Sequence, residues 1–218
     1  VIFKKLRHTA MKPHNLRQLI YEGESQTLDF KRRISKAYKI AKTLTAFANT
    51  KGGQLLIGVE DDGKITGVDP HQESFQLQKA ADYFCKPPVN IDYTQVEDEE
   101  GRIVLVAEIS ESEQKPHYAQ SKTGSWDVYV RFKDKSIQAG KTAINSMKNG
   151  DGGYQGKLSR IEQTVLALFD DIERVTARLL GKALNISERR ARRMLVDMTQ
   201  KGVLHSHDFE KEIFYTLA

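Results

Sequence analysis

Four arginines close together near the C-terminus are the residues of this chain best suited to binding an anion: Arg189, Arg190, Arg192 and Arg193. Apolar residues in the same segment recur at helical spacing and predict a buried stripe made of Ala191, Met194, Leu195 and Met198. The arginines then project toward solvent or its margins. Guanidinium groups in such a place can contact phosphate oxygens or grip the edge of a guanine with two hydrogen bonds.

The elements around these arginines follow a helix-turn-helix pattern. Residues 161–169 predict a first helix, Thr176 is placed to cap a second, and Ser187 is placed to cap a third that runs to about residue 201. Gly202 ends the third helix, and residues 203–204 and 213–217 predict a terminal hairpin. The whole of 158–218 therefore predicts a small winged helix-turn-helix domain. The string from Thr176 through Gly202 resembles many bacterial winged-helix regulators. In that arrangement the third helix enters the DNA major groove.

Two other interpretations of the arginines remain open. They can form a solvated charged face, with Glu188 and Asp197 as local partners, or a surface that docks a protein. Their position at the start of the third helix favours DNA contact. Two histidines near the predicted hairpin, His205 and His207, are expected to be solvated rather than metal ligands.

A second informative pattern runs through residues 22–68. Leu28 and Phe30 alternate with Asp29 and Lys31, as in a half-buried strand. Residues from about 35 to 49 carry apolar side chains at helical spacing, and glycines at 52 and 53 end that helix. The apolar run at 54–59 predicts a strand buried on both faces, and residues 61–64 predict a hairpin turn.

This run resembles the Schlafen-type AlbA-2 domain. The resemblance lies in Asp29-Phe30-Lys31, in residues 46–50, in Gly52-Gly53, in Ile57-Gly58-Val59, and in the later Tyr129-Val130-Arg131. It implies an α+β fold with a mixed sheet and packed helices. It also implies nucleic acid as the partner, with regulation and cleavage as the two functions.

In the Schlafen nucleases the resemblance implies a centre of three carboxylates. The matching positions here are Glu24, Asp29 and either Glu60 or Asp61. Such a group would hold Mg²⁺ or Mn²⁺ to activate water, with the nucleic-acid backbone held nearby by Lys31, Arg32 and Arg33. Asp29 stands where glutamate is usual, and the third acid is ambiguous by one residue. Without cleavage, no cofactor is expected.

The rest of the chain supplies the predicted domain boundaries. Residues 1–20 form a basic arm, 21–140 the AlbA-2-like domain, 141–157 a linker rich in Gly, Asn and Ser, and 158–218 the winged domain. Within the first domain, residues 70–85 predict a helix with Phe75 on its inner side. Strands are predicted at 89–96, 103–109 and 126–132.

Composition limits the function. The 218 residues carry a formal net charge of +5. Divided at Leu158, the chain has 24 basic against 20 acidic residues before it and 10 against 9 from it onward, so neither part is a strong polycation. The single cysteine, Cys85, excludes intrachain disulfides and cysteine-clustered zinc. No apolar run approaches a membrane span and no signal-peptide core is present, so a cytoplasmic location without membrane contact is expected.

An ATP-binding loop is not predicted. Gly140-Lys141-Thr142 resembles the end of one, but the motif requires glycine five positions before Gly140, where Lys135 stands. Histidine chemistry is not predicted either, because no motif places a serine or cysteine beside His117.

The sequence thus predicts a two-domain, DNA-binding transcriptional regulator of bacterial type. Duplex DNA is the expected partner, RNA is a further candidate, and a homodimer is expected because winged-helix operators are usually read by dimers. A metal-dependent nuclease of the Schlafen type is the alternative, and a protein-docking winged-helix module is the second alternative.

Overall fold

The computed structural model describes residues 13–149, 158–209 and 212–217. The chain divides into two units, Val1–Ser136 and Ile137–Ala218. Helices and strands of both parallel and antiparallel pairing are present, which confirms the predicted α+β class. No helix in the described ranges is both long enough and apolar enough to cross a lipid bilayer.

The first unit is built on a four-stranded mixed sheet in the order β1-β2-β5-β4. Strands β1 and β2 are parallel, and the other neighbours are antiparallel. Strands β3, β6 and β7 form a separate antiparallel set. The elements in chain order are α1 (Pro13–Glu22), β1 (Leu28–Lys31), α2 (Ala37–Asn49), β2 (Gly53–Ile57), α3 (Pro70–Tyr83), β3 (Cys85–Lys86), β4 (Asp92–Glu97), β5 (Ile103–Ile109), β6 (Tyr118–Gln120) and β7 (Trp126–Phe132).

Strand β2 is buried on both faces, as its unbroken apolar run predicts. Leu55 and Ile57 belong to the core that includes residues of α2 and α3. Leu56 belongs to the core on the other side, together with Leu16 of α1 and Phe30 of β1. A strand covered on both faces cannot alternate polar and apolar residues, which explains the sequence pattern.

The turn between α2 and β2 is fixed by glycine and by Asn49. Gly52 has a φ of +71°, and a Cβ there would lie 2.6 Å from the carbonyl oxygen of Ile109. The Asn49 amide donates to the carbonyl oxygens of His117 (2.8 Å) and Tyr129 (2.9 Å) and accepts from the His117 N–H (2.7 Å). The end of α2 is therefore hydrogen-bonded to the β6 and β7 region.

Two predictions for the first unit need correction. Phe75 was expected on the inner side of α3 but is 52% exposed, because the buried side of the helix is formed by Leu77, Ala80 and Ala81. The predicted basic arm, 1–20, becomes helix α1 from Pro13, and its Leu16 is fully buried. Residues 1–12 lie outside the described part of the chain.

The second unit packs helices on a small antiparallel sheet. Strand β10 lies between β11 and residues Gln138 and Ala139 of β8 (Lys135–Ala139), and β11 pairs with β9 on its other side. The further elements are α4 (Lys141–Asn149), α5 (Arg160–Ala167), a 3-10 turn (Leu168–Asp170), β9 (Val175–Thr176), α6 (Ala177–Ala183), α7 (Glu188–Gln200), β10 (Leu204–Phe209) and β11 (Glu212–Leu217).

Helix α4 corrects the predicted linker, 141–157, over its first nine residues. Ala143 is fully buried, and Ile144 and Met147 are half-buried, so the segment has one apolar side that packs rather than staying in solvent. Residues 150–157 of the predicted linker lie outside the described residues. So do residues 210 and 211 of the turn between β10 and β11.

Candidate nucleic-acid interface

Helix α7 presents its four arginines to solvent. The Ser187 hydroxyl accepts a hydrogen bond from the Arg190 N–H at 3.3 Å, so the helix begins at the predicted cap. Ala191, Leu195 and Met198 are fully buried in the core of the second unit. Because this stripe fixes the rotation of the helix, the exposed positions include Arg189, Arg190, Arg192 and Arg193.

Local acids leave most of this positive charge unpaired. Arg192 Nη2 lies 3.4 Å from Glu188 Oε1, and both side chains are more than half exposed. An exposed pair of this kind contributes only about 0.3–0.5 kcal/mol and does not hold the guanidinium in place. Among the described residues, no acid, including the predicted partner Asp197, forms an ion pair with the other three arginines.

The end of α7 is held by a buried carboxylate on α5. Glu162 Oε1 accepts from Lys201 Nζ at 2.6 Å, and its Oε2 accepts from the N–H (2.8 Å) and hydroxyl (2.7 Å) of Ser159. These hydrogen bonds lower the pKa of Glu162 to about 2, with the Lys201 bond contributing most. The capping box of α5 therefore also anchors the residue that follows α7.

The hairpin beside α7 contains a buried imidazole. His207 was predicted to be solvated, but it is 5% exposed, stacks on Phe214 with ring centroids 5.1 Å apart, and shares a hydrogen bond with Thr216 Oγ1 at 3.0 Å. Burial, assisted by His205, lowers the pKa of His207 to about 4. His207 is therefore neutral near pH 7. It stabilises the hairpin by packing in its buried side and is not part of the exposed surface.

The structure brings two of the predicted catalytic acids together at β1. Glu24 Oε1 accepts from the Phe30 N–H at 2.8 Å. Burial raises the pKa of Glu24, and the neighbouring Asp29 carboxylate acts in the same direction. Asp29 itself is 4% exposed, with Oδ1 3.4 Å from Arg131 Nη1 and Oδ2 in a 3.1 Å ion contact with Lys31 Nζ.

The third predicted acid does not join this pair. Glu60 Oε1 lies 3.7 Å from Arg32 Nε, and Asp61 is exposed in the turn that follows β2. Within the described residues, no three acidic, histidine or cysteine side chains are grouped so as to hold a metal ion. The oxygens of Asp29 already face two cationic side chains. The residues as arranged therefore do not fit a resident Mg²⁺ or Mn²⁺.

The three basic residues predicted to hold a nucleic-acid backbone differ in their surroundings. Lys31 Nζ contacts Asp29 and lies 3.9 Å from Glu24, so its charge is largely neutralised. Arg32 is exposed and lies beside Glu60. Arg33 is exposed and, among the described residues, has no ion-pair partner.

Sequence reasoning recognised Arg131 only as part of a strand motif, not as a positioning residue. Its guanidinium is 1% exposed, donates to the carbonyl oxygen of Ser25 at 2.7 Å, and lies 4.7 Å from the centre of the Phe47 ring. An arginine flanked by apolar residues, here Val130 and Phe132, is the sequence signal for such a role, because a buried guanidinium requires a partner. Arg131 thereby fixes the segment that carries Glu24 and Asp29.

Comparison with known proteins gives one family. A family model described as "Schlafen, AlbA_2" matches residues 24–140, which is more than half of the chain. A search of curated proteins found no match. Among solved structures, the crystal structure of the DIP2311 protein from Corynebacterium diphtheriae is 18% identical, with a TM-score of 0.43. The match covers 86% of this chain and 34% of that chain, so the present chain spans about a third of the length of that protein.

Proposed function

We propose that this chain, which belongs to the Schlafen AlbA_2 family, is a DNA-binding protein that regulates transcription. The family suggests a nucleic-acid-related domain for residues 24–140. For the second unit we propose a winged helix-turn-helix, because α5, α6 and α7 precede the β10–β11 hairpin and pack on one core. In this proposal α7 is the recognition helix and the hairpin is the wing.

The exposed arginines of α7 are the observation that carries the proposal. Four guanidinium groups occupy the first half of a 13-residue helix, which is the half that reaches base edges in helix-turn-helix proteins. The helix is anchored at its start by Ser187 and just past its end by Lys201 and Glu162, so the arginines are presented on a rigid element. Guanidinium groups so placed can read guanine or hold phosphates.

Duplex DNA is the proposed partner because an α-helix fits its major groove, whereas the major groove of duplex RNA is too narrow for side chains to read. We further propose that the chain acts as a homodimer, since a single helix reads only one half-site. The regulator would therefore bind a two-fold symmetric operator.

The nuclease alternative has one observation in its favour, the approach of Glu24 to Asp29, with the raised pKa of Glu24. Against it, Arg131 and Lys31 already neutralise Asp29, and no third acid completes the group within the described residues. In this proposal the two acids have a structural role. Asp29 is the counter-ion of Arg131 and Lys31, and Glu24 accepts a hydrogen bond from the backbone of β1. If the protein cleaves tRNA or single-stranded DNA, and the Glu24→Ala and Asp29→Ala variants do not, the nuclease alternative would be favoured over the regulator.

The test compares two variants that lose the same amount of charge. The first replaces Arg189, Arg192 and Arg193 by alanine. The matched control replaces three exposed cations outside α7, namely Lys122, Lys148 and Arg160. Binding to duplex DNA, single-stranded DNA and tRNA is measured over a range of salt concentrations, with Mg²⁺ or Mn²⁺ present in a parallel series to reveal cleavage.

We expect the α7 variant to lose at least 100-fold in duplex affinity, since each base-reading arginine contributes about 1–3 kcal/mol. Its melting temperature should stay near that of the wild type, because the three side chains are exposed. The control should bind nearly as tightly as the wild type. Equal affinity of the α7 variant and the wild type would instead make α7 a protein-docking surface.

A further inference from the structure

We propose that the first unit has its own binding surface for the phosphate backbone of a nucleic acid, separate from α7. This basic platform consists of Arg32, Arg33, Lys36 and Lys39, on the segment from the end of β1 to the first turn of α2. The inference depends on the proposed function only for the chemical class of the partner. It differs from the sequence prediction because Lys31 is excluded, and because Lys36, which precedes α2, and Lys39, in the first turn of α2, are added.

The platform lies in a long stretch without acids. Residues 30–59 contain seven lysines and arginines and no aspartate or glutamate. All four platform residues are exposed. Of these, Arg32 is 3.7 Å from Glu60, whereas Arg33, Lys36 and Lys39 form no ion pair with any acid among the described residues. At least three cations therefore face solvent without a local counter-charge.

The backbone that carries these cations is fixed rather than free. The Ile34 N–H donates to Glu73 Oε2 of α3 at 2.8 Å, and the Ile34 side chain packs against the main core. Lys36 is the residue that caps α2, and its carbonyl accepts from the N–H groups of Lys39 (3.1 Å) and Ile40 (3.3 Å). Because the backbone is already fixed, ligand binding has to order only the side chains and not the loop, which lowers the entropy cost of binding.

Two neighbouring lysines are not part of the platform, and the structure gives the reason in each case. Lys31 Nζ is held by Asp29 at 3.1 Å. Lys42 Nζ lies over the Tyr129 ring, 5.1 Å from its centroid, and its residue is only half-exposed. The cations available to a ligand are therefore those on the eight residues from Arg32 to Lys39.

The spacing of the platform suits a chain of phosphates. Lys36 immediately precedes α2 and Lys39 lies in its first turn, three residues later, so the two lysines are close along the chain. Arg33 precedes Lys36 by three residues and lies within about 11 Å of it. Exposed cations spread over eight consecutive residues can contact successive phosphates, and phosphate contacts are independent of sequence.

The experiment uses the full chain and two duplexes of unrelated sequence. The platform variant replaces Arg33, Lys36 and Lys39 by alanine, and the control replaces Lys64, Lys79 and Lys122, which are exposed elsewhere on the same unit. The dissociation constant is measured from 50 to 200 mM salt. Three lost phosphate contacts should lower the slope of log K against log salt by about 2.7, so that the deficit of the variant shrinks about 40-fold across this range.

The outcomes separate this inference from the proposed function. Loss of affinity of equal size on both duplexes, with a lower salt slope and a wild-type melting temperature, supports the platform even if the α7 variant binds normally. A platform variant with unchanged affinity and slope overturns the inference, whatever α7 does. A platform variant and a control that weaken equally also overturn it, because net charge alone would then account for the effect.

Discussion

Acidification should selectively destabilise the second unit through His207. The imidazole is buried and neutral, and its pKa is lowered from about 6.5 to about 4. Between these two values the unfolded chain binds a proton that the folded chain does not. The free energy of unfolding is therefore highest, as far as His207 is concerned, above about pH 6.5. It falls as the pH decreases toward 4, because protonation then favours the unfolded chain.

The size of the effect follows from the two pKa values. At pH 5 the unfolded imidazole is almost fully protonated, while the folded one is still mostly neutral. The free energy of unfolding should therefore be about 2 kcal/mol lower at pH 5 than at pH 7.5 because of this residue alone. Replacing His207 by glutamine, whose amide can keep a hydrogen bond to Thr216, should remove this part of the pH dependence.

The measurement is urea unfolding of wild type and His207→Gln by circular dichroism at pH 7.5, 6.5, 5.5 and 5.0. The free-energy difference between the two proteins should change by about 2 kcal/mol over this range. His117, whose burial also lowers its pKa, contributes equally to both proteins and cancels. His71→Gln, at an exposed position on α3, is the control. A difference that stays constant from pH 7.5 to 5.0 would refute the burial of a neutral His207.

Three further substitutions test contacts within the individual units, Glu162 in the second and Arg131 and Gly52 in the first. Glu162→Gln should lower the free energy of unfolding by about 1–2 kcal/mol at neutral pH, less than the full pKa shift because its lysine partner is 37% exposed; the deficit should close as the pH falls from about 4.3 toward 2. Arg131→Gln should cost about 3 kcal/mol in urea unfolding, since it removes the buried guanidinium beside Asp29, and the double variant with Asp29→Asn should cost less than the sum of the single variants. Gly52→Ala should lower the melting temperature clearly more than Gly124→Ala, because both glycines have positive φ but only Gly52 lies against backbone.

Local patterns in the sequence were sufficient for the elements around α7. Ser187 caps the helix, Gly202 follows its end with a φ of +72°, and the buried stripe is the one that helical spacing predicts. These features are set by residues within a few positions of one another, so a periodic pattern contains the information. The same holds for the apolar run of β2 and the glycine turn before it.

The burial of Asp29 depends on contacts that no local pattern contains. Its partner Arg131 lies 102 residues later in the chain. The sequence shows only a strand in which acidic and basic residues alternate with apolar ones, and such residues usually face water. The consequence for function is direct, because an acid that is free to bind a metal and an acid that is paired with a buried guanidinium look the same in the sequence.

His207 was misjudged for a related reason. Its strand, β10, is central, since it pairs with β11 on one side and with Ala139 on the other. The sequence predicts a linker just after Ala139, and a linker gives no indication of a neighbouring strand there. A histidine on a two-stranded wing is solvated, whereas a histidine on the middle strand of a covered sheet is buried.

The basic residues of this protein are of two kinds, those paired with a carboxylate and those without such a partner. This pairing, rather than the net charge, indicates where a polyanion can bind. The formal net charge of +5 is too small to indicate a polyanion partner. However, Lys31, Arg131 and Lys201 each have a carboxylate within 4 Å and cannot offer their full charge to a ligand. Among the described residues, the cations without a carboxylate within 4 Å include several on two short segments, the start of α7 and the stretch from the end of β1 to the first turn of α2. They are Arg189, Arg190 and Arg193 on the first segment and Arg33, Lys36 and Lys39 on the second. A polyanion attracted to this protein is therefore expected at these two segments.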